Sequence, residues 1–263
     1  GLVFAPAETW KIGINSATGF RAPNVDDIGK IFDFAAGEVV VPNTRLKSEQ
    51  AYNLEVNLSR IFGRYLKLDL SAYYTYLDQA MVRRPFQVGG QDSILFNGEL
   101  SSVFAIQNAA FARVYGFHLG FEARIPGGFS LLSKYNFQIG QEEMDSGQKS
   151  RSRHAAPPNG LTRLSYSREG MTIQLSAQYS SKVSFENLNE EERQKPAIYA
   201  RDENGNPWSP AWFILNFKAQ MKLGEQISVS GGIENLTDQR YRPYSSGIVA
   251  PGRNFILSLN LKF

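Results

Sequence analysis

The chain of 263 residues contains no cysteine, which excludes a disulfide framework, thiol catalysis and cysteine-ligated metal sites. Histidine is scarce as well, with only His118 and His154. No run of about 18 uncharged apolar residues occurs, so a helical membrane span is excluded. The mean hydropathy of −0.31 is that of a soluble protein. The 28 basic and 25 acidic residues are interspersed and leave a net charge of +3, so no basic stripe offers itself to nucleic acid. No G-x-S-x-G elbow, P-loop or zinc-protease helix is present, and the seryl and carboxylate groups are scattered. Enzymatic function is therefore unsupported, and no cofactor or bound metal is expected. What the chain does hold is aromatic residues. Phe (18) and Tyr (12) bring the aromatic share to 13%, high for an ordinary domain and in keeping with aromatic girdles at a lipid interface.

The dominant pattern is strict alternation, repeated. Phe255, Leu257, Leu259 and Leu261 share one face of the last segment, which runs to Phe263, while Ile256, Ser258, Asn260 and Lys262 share the other. A period of two predicts a strand with one apolar side. The same pattern recurs at Tyr52–Leu58, Leu66–Tyr76, Tyr115–Ile125, Phe129–Ile139, Met171–Tyr179, Phe213–Leu223 and Ile227–Ile233. Trp10, Ile12 and Ile14 mark the first strand, and the segment around Leu161–Tyr166 is the faintest. About ten strands are expected, with no amphipathic helix competing.

The connections alternate too. Short turns are expected at Phe62-Gly63-Arg64, Pro126-Gly127-Gly128, Arg168-Glu169-Gly170 and Leu223-Gly224-Glu225. Long polar segments separate them, at about 18–45, 78–105, 141–157, 182–210 and 237–252. Antiparallel transmembrane barrels show this asymmetry, with short periplasmic turns and long outer loops. The competing fold is a soluble sandwich or lipocalin-like barrel, whose apolar residues would face inward. Large apolar side chains on nearly every strand, Tyr and Phe at strand ends and the short–long rhythm favour the membrane barrel. Its lipid face is free of mid-strand charge, Arg113 and Arg253 falling near the loop-side rims. Gly1–Pro6 has neither a basic n-region nor an apolar h-region, so it is not a signal peptide. Because an outer-membrane protein needs one, further sequence is expected upstream.

Several stretches resemble TonB-dependent receptors. The closing segment Asn235-Leu236-Thr237-Asp238-Gln239-Arg240-Tyr241, followed by Ala250-Pro251-Gly252-Arg253-Asn254-Phe255 and terminal Phe263, is similar to their last hairpin. Gly19-Phe20-Arg21-Ala22-Pro23-Asn24, Pro42–Glu49 and Ala112–Phe117 resemble the family at other strand ends. The resemblance covers essentially the whole chain and implies an antiparallel barrel of about 22 strands with a plugged lumen, of which residues 1–263 would supply roughly the last ten. The plug and earlier strands would lie outside this chain. The implied partners are the TonB complex acting through the plug, the outer-membrane lipid, a small-molecule nutrient and the barrel-assembly machinery, which would read Phe255, Leu259, Leu261 and Phe263. The Phe20–Pro23 box and a degenerate second box are similar to those of haem receptors, which place a histidine between them. Residues 24–41 contain none, so the expected cargo is a ferric siderophore-type chelate. A passive porin or a surface adhesin built on the same wall is the alternative, and a soluble β-rich binding module a more distant one.

Candidate ligand residues lie in the outer loops and lumen. Arg83-Arg84 beside Phe86 offers paired cations and an aromatic for an anionic ligand. Arg151, Arg153 and His154 form a basic loop, for which simple solvation is the plainer reading. Arg21, Trp208, Tyr241 and Tyr244 complete the set. Trp208 and Trp212 flank the top of a strand, where interface anchoring outweighs ligand stacking. His118 is expected to point into the lumen as a solvated residue. Asp202-Glu203-Asn204-Gly205-Asn206 could collect oxygen ligands for calcium, but Asn-Gly equally signals a turn.

Overall fold

The computed structural model describes every residue except His154, Pro196 and Phe263, and the side chain of Phe34 as well is left out. In chain order the strands are β1 (Leu2–Ala7), β2 (Trp10–Arg21), β3 (Phe32–Ala35), β4 (Glu38–Val41), β5 (Glu49–Phe62), β6 (Leu66–Pro85), β7 (Ser93–Phe96), β8 (Glu99–Ile125) and β9 (Phe129–Glu143). They continue with β10 (Lys149–Arg151), β11 (Asn159–Arg168), β12 (Met171–Ser180), β13 (Ala200–Arg201), β14 (Pro207–Trp208), β15 (Trp212–Leu223), β16 (Ile227–Glu234) and β17 (Asn254–Leu261). Two short helices, α1 (Val25–Gly29) and α2 (Glu190–Arg193), lie in the long connections.

Among the described residues eleven strands follow one another as an antiparallel wall, in the order β1-β2-β5-β6-β8-β9-β11-β12-β15-β16-β17. Sequence reasoning missed β1. Its alternation is blurred by Ala5-Pro6-Ala7 and by an irregularity between Phe4 and Ala7, yet Leu2 and Phe4 pair with Ile14 and Ile12. Among the described residues the wall is an open sheet, with β1 and β17 as its unpaired edges.

Register turns the alternation into two surfaces. Leu54 pairs with Tyr74, Tyr74 with Tyr115, and Tyr115 with Ile139. Farther along, Leu131 pairs with Leu164, Leu164 with Leu175, Leu175 with Phe217, and Phe217 with Ile233. Because paired residues share a face, one apolar band runs across the wall. Many of its members are exposed, Leu257 at 82% and Phe255 at 72%, which is costly in water and natural in lipid. No helix among the described residues is long and apolar enough to cross a membrane. Arg60, on the band at the short-turn rim, lies 4.3 Å from the Trp10 ring and 4.2 Å from that of Phe62. The band thus ends there in an aromatic–cationic girdle. The opposite face carries Asn57, Ser71, His118 and Asn136 in one polar row.

Tight turns close one end of the wall. The hairpin at Glu169-Gly170 takes φ of 48° and 83°, a left-handed pair that suits the twist of the flanking strands. At the other end the expected loop 78–105 is largely strand. β6 runs on to Pro85 and β8 starts at Glu99, the ladder crossing an irregularity around Gln79 (φ 57°). A parallel strand, β4, joins β8 from the first long connection, pairing Glu38–Val41 with Ser102–Ala105. Val39, Val41, Val103 and Ala105 form a buried cluster with Phe86, Ile94 and Phe96 against it. Two outer loops therefore share a small core, which alternation within one segment could not reveal.

Candidate functional site

At the long-loop end, the last connection folds over the inward surface of the wall. It is anchored by Asn235, which is 2% exposed and takes the left-handed conformation (φ 50°). The Asn235 side-chain oxygen accepts from Thr237 Oγ1 (3.1 Å) and Gln239 N (3.0 Å), while its amide donates to Gln239 O (2.9 Å) and Pro251 O (3.2 Å). Its own N–H donates to Asn216 Oδ1 on β15 (2.8 Å). Asp238 Oδ1 accepts from the Arg253 N–H (2.8 Å), and Arg253 Nη2 donates to Leu236 O (2.9 Å). One asparagine thus ties both ends of the 236–251 loop to the wall.

What this loop presents is aromatic. Tyr241 packs on Trp212, with ring centroids 4.5 Å apart and planes at 33°. Two clefts meet at Trp212. One, of about 460 Å³, is bordered by Tyr199, Arg240, Tyr241 and Arg242; the other, of about 480 Å³, by Lys134, Asn136, Gln178 and Tyr244. Burial pushes the Tyr244 phenol up to about 12, with the charges of Glu192 and Glu142 adding to the shift, so it stays neutral across the physiological range. Deeper on the wall Tyr73 stacks on His118 (5.2 Å) and donates to Gln138 (2.9 Å). His118 Nδ1 is 2.7 Å from Asn136 Oδ1, and Asn136 donates to Asn159 (3.0 Å). This arrangement suits a flat or aromatic ligand held by stacking, with cations at the rim for negative charge.

A buried carboxylate latches the neighbouring loops. Glu192, fully buried on α2, accepts from Arg153 Nε (2.6 Å), Lys195 Nζ (2.9 Å) and Tyr199 OH (2.5 Å). Burial raises its affinity for a proton, but the bonds from Tyr199, Lys195 and Arg153 outweigh that and hold it below the usual carboxylate range. Beside it, Glu142 accepts from Arg153 N (3.1 Å), Asn189 Nδ2 (2.9 Å) and Ser152 Oγ (3.1 Å).

The residues expected from sequence separate clearly. Tyr241 and Tyr244 come together at the clefts. Arg21 pairs with Asp27 (2.9 Å) and Glu49 (3.0 Å), Arg83 with Asp145 (2.8 Å), Arg84 with Glu143 (2.9 Å), and Arg153 with Glu191 (3.2 Å) and Glu192. These cations build loop structure rather than an open positive lip. Phe86 belongs to the small loop core, and Trp208 sits in the β13–β14 hairpin opposite Ala200. Arg151 lies on the outward face, paired in register with Gln141. His154 falls outside the described residues. Asp202 caps its own turn, accepting from the N–H groups of Asn204 (2.9 Å) and Asn206 (2.8 Å), which is the turn that Asn-Gly signals. Trp212 needs correction. It pairs with Ser180 and alternates with lipid-facing Phe213, so it points inward and is no interface anchor. That parity was readable from the sequence; the contributions of Tyr199, Glu192 and Asn235 come from loop folding and left no periodic signal.

A family model for the TonB dependent receptor-like β-barrel matches residues 1–236. The chain belongs to the TonB-dependent receptor family. Its place is accordingly the outer membrane of a Gram-negative bacterium, and the apolar band is its lipid face. Among relatives of this receptor chain, the hemoglobin and hemoglobin-haptoglobin-binding protein of Haemophilus ducreyi is 25% identical over 99% of the chain and 31% of the relative. The chain thus spans about a third of that protein's length. The ferric enterobactin receptor of Pseudomonas aeruginosa superposes with a TM-score of 0.74 at 13% identity, over 99% of this chain and 39% of that one. The FrpB iron transporter from Neisseria meningitidis gives 0.71 at 18%, over 99% and 38%. These two structures share the fold of the receptor wall; by name the three proteins are a binding protein, a receptor and a transporter.

Proposed function

We propose that this chain is the ligand-side wall of a receptor for TonB-energised uptake of an anionic, aromatic iron chelate, a ferric siderophore in the first instance. The observation that carries the reading is the inward-facing pair of clefts around Trp212, Tyr241 and Tyr244, edged by Lys134, Arg240 and Arg242. Stacking supplies apolar contact for catechol-like rings, and the cations balance carboxylate or phenolate charge.

In the whole protein, further strands would pair with β1 and β17, since open edges leave backbone groups unsatisfied in lipid. A plug within the lumen would take the pull of the TonB complex, and the outward row of β17 would serve as a signal for the barrel-assembly machinery. Haem is the second reading, favoured by relatives whose names record hemoglobin binding.

The test is fluorescence titration of the intact receptor with a ferric catecholate siderophore and with haemin, together with iron uptake by cells with and without TonB. Siderophore binding lost in W212A, with uptake that requires TonB, supports the first reading. Haemin binding alone supports the second. TonB-independent uptake, or binding indifferent to W212A, overturns the assignment to these clefts.

A further inference from the structure

Two sets of cations at the long-loop end differ in their partners. Arg21, Arg83, Arg84 and Arg153 each meet a carboxylate within 3.2 Å. Arg113, Lys149 and Arg151 do not, although all three are exposed. Arg113 Nε donates to the neutral amide of Gln141 (3.0 Å), Arg151 Nη2 to that of Asn187 (3.2 Å), and Lys149 Nζ lies 5.4 Å from the centre of the Phe111 ring. Register places them outward. Tyr76, Arg113, Gln141 and Arg151 are successive partners across β6, β8, β9 and β10, so their side chains emerge on the same face. The next row down holds Tyr74, Tyr115 and Ile139, members of the lipid-facing band, about 7 Å nearer the membrane centre.

The carboxylates nearby do not cancel this charge. Glu143 shares a row with Lys149 but is bound to Arg84 (2.9 Å). Glu186 and Glu190 border the polar cleft beside Lys149 and Arg151, where Arg193 is a further cation. Exposed cations with neutral partners, directly above a tyrosine and phenylalanine girdle, retain unused donors for phosphate oxygens.

We propose that Arg113, Lys149 and Arg151 form a binding site for the phosphorylated headgroup of an outer-leaflet glycolipid. The acyl chains lie along the Tyr74–Tyr115–Ile139 band while phosphate oxygens accept from the two guanidinium groups and the ammonium group. The site faces the membrane, on the opposite side of the wall from the nutrient clefts.

The experiment uses the intact receptor, purified from outer membranes in mild detergent and washed free of lipid, with native mass spectrometry as the readout. Diphosphoryl lipid A is expected to bind the wild type roughly tenfold or more tightly than the triple variant R113Q/K149Q/R151Q. Lipid A stripped of both phosphates is expected to lose the same advantage on the wild type. R113K/R151K keeps the charge and should stay within about threefold of wild type. K222Q, which removes a single cation from the inward face near the short turns, should bind as wild type. Equal affinity for phosphorylated and dephosphorylated lipid A on the wild type overturns the proposal without any variant having to fold. Equal affinity of wild type and triple variant overturns it as well. Inorganic pyrophosphate binding as tightly as lipid A would mark a free-anion site and sink the lipid assignment.

Discussion

Asn235 shows how one side chain can fix a loop. It is buried and fully engaged, so Asn235→Ala removes four side-chain bonds and leaves the Pro251 and Gln239 carbonyls without that donor. Each buried group left unsatisfied costs about 1–3 kcal/mol. The expected outcome is a lower urea midpoint for the intact receptor and red-shifted fluorescence from Trp212 as Tyr241 lifts away. An unchanged midpoint and spectrum would show that the loop is held elsewhere. Glycine supplies a second residue-scale test. A Cβ at Gly116 would run into the Phe137 carbonyl oxygen, whereas one at Gly19 meets nothing within 4 Å. Gly116→Ala should therefore destabilise by about 1–3 kcal/mol, and Gly19→Ala should be near neutral, as read by denaturant unfolding in the same detergent.

At the scale of elements, the outer loops act as two joined units. The first and second long connections share a core through the parallel β4–β8 pairing, and the third and fourth are latched through Glu192. Because Glu192 titrates below its unfolded value of about 4.3, its contribution is intact above that pH and is lost as pH falls through the lower folded value. Hydrogen exchange over residues 185–195, corrected for intrinsic rates, should be steady from pH 8 to 5 and accelerate below about 4. At pH 7 Glu192→Gln should raise exchange there while leaving β9 and β12 unchanged; wild-type protection in that variant would dissolve the latch.

For the molecule as a whole, the decisive quantity is which face meets lipid. Leu164 pairs with Leu131 and Leu175 on the band, while its neighbour Ser165 pairs with Ser130 and Gln174 on the other side. Arginine at position 164 should cost about 2–4 kcal/mol, and arginine at 165 about 1 or less, because one charge enters the bilayer and the other enters water. The folded fraction, measured by heat-modifiable gel mobility after refolding into vesicles, should separate Leu164→Arg from Ser165→Arg. Equal folding of the two would reverse or abolish the assignment of faces.

The amino-acid sequence by itself determined the wall. Side chains alternate with period two along any extended backbone, so the rows at Tyr52–Leu58 or Phe255–Leu261 announce strand, lipid face and lumen face without a neighbour's help. The short turns and the family likeness were legible for the same local reason, and so, in its parity, was Trp212. β1 escaped because Ala5-Pro6-Ala7 interrupts its pattern. Tertiary structure alone decided the roles of the charged and polar loop residues. Whether Arg84 meets Glu143 or a ligand, whether Arg151 looks inward or out, and whether Asn235 ties a loop or caps a turn depend on segments tens of residues away. Electrostatic and hydrogen-bond partners are set by proximity in space, and no period in the chain encodes that.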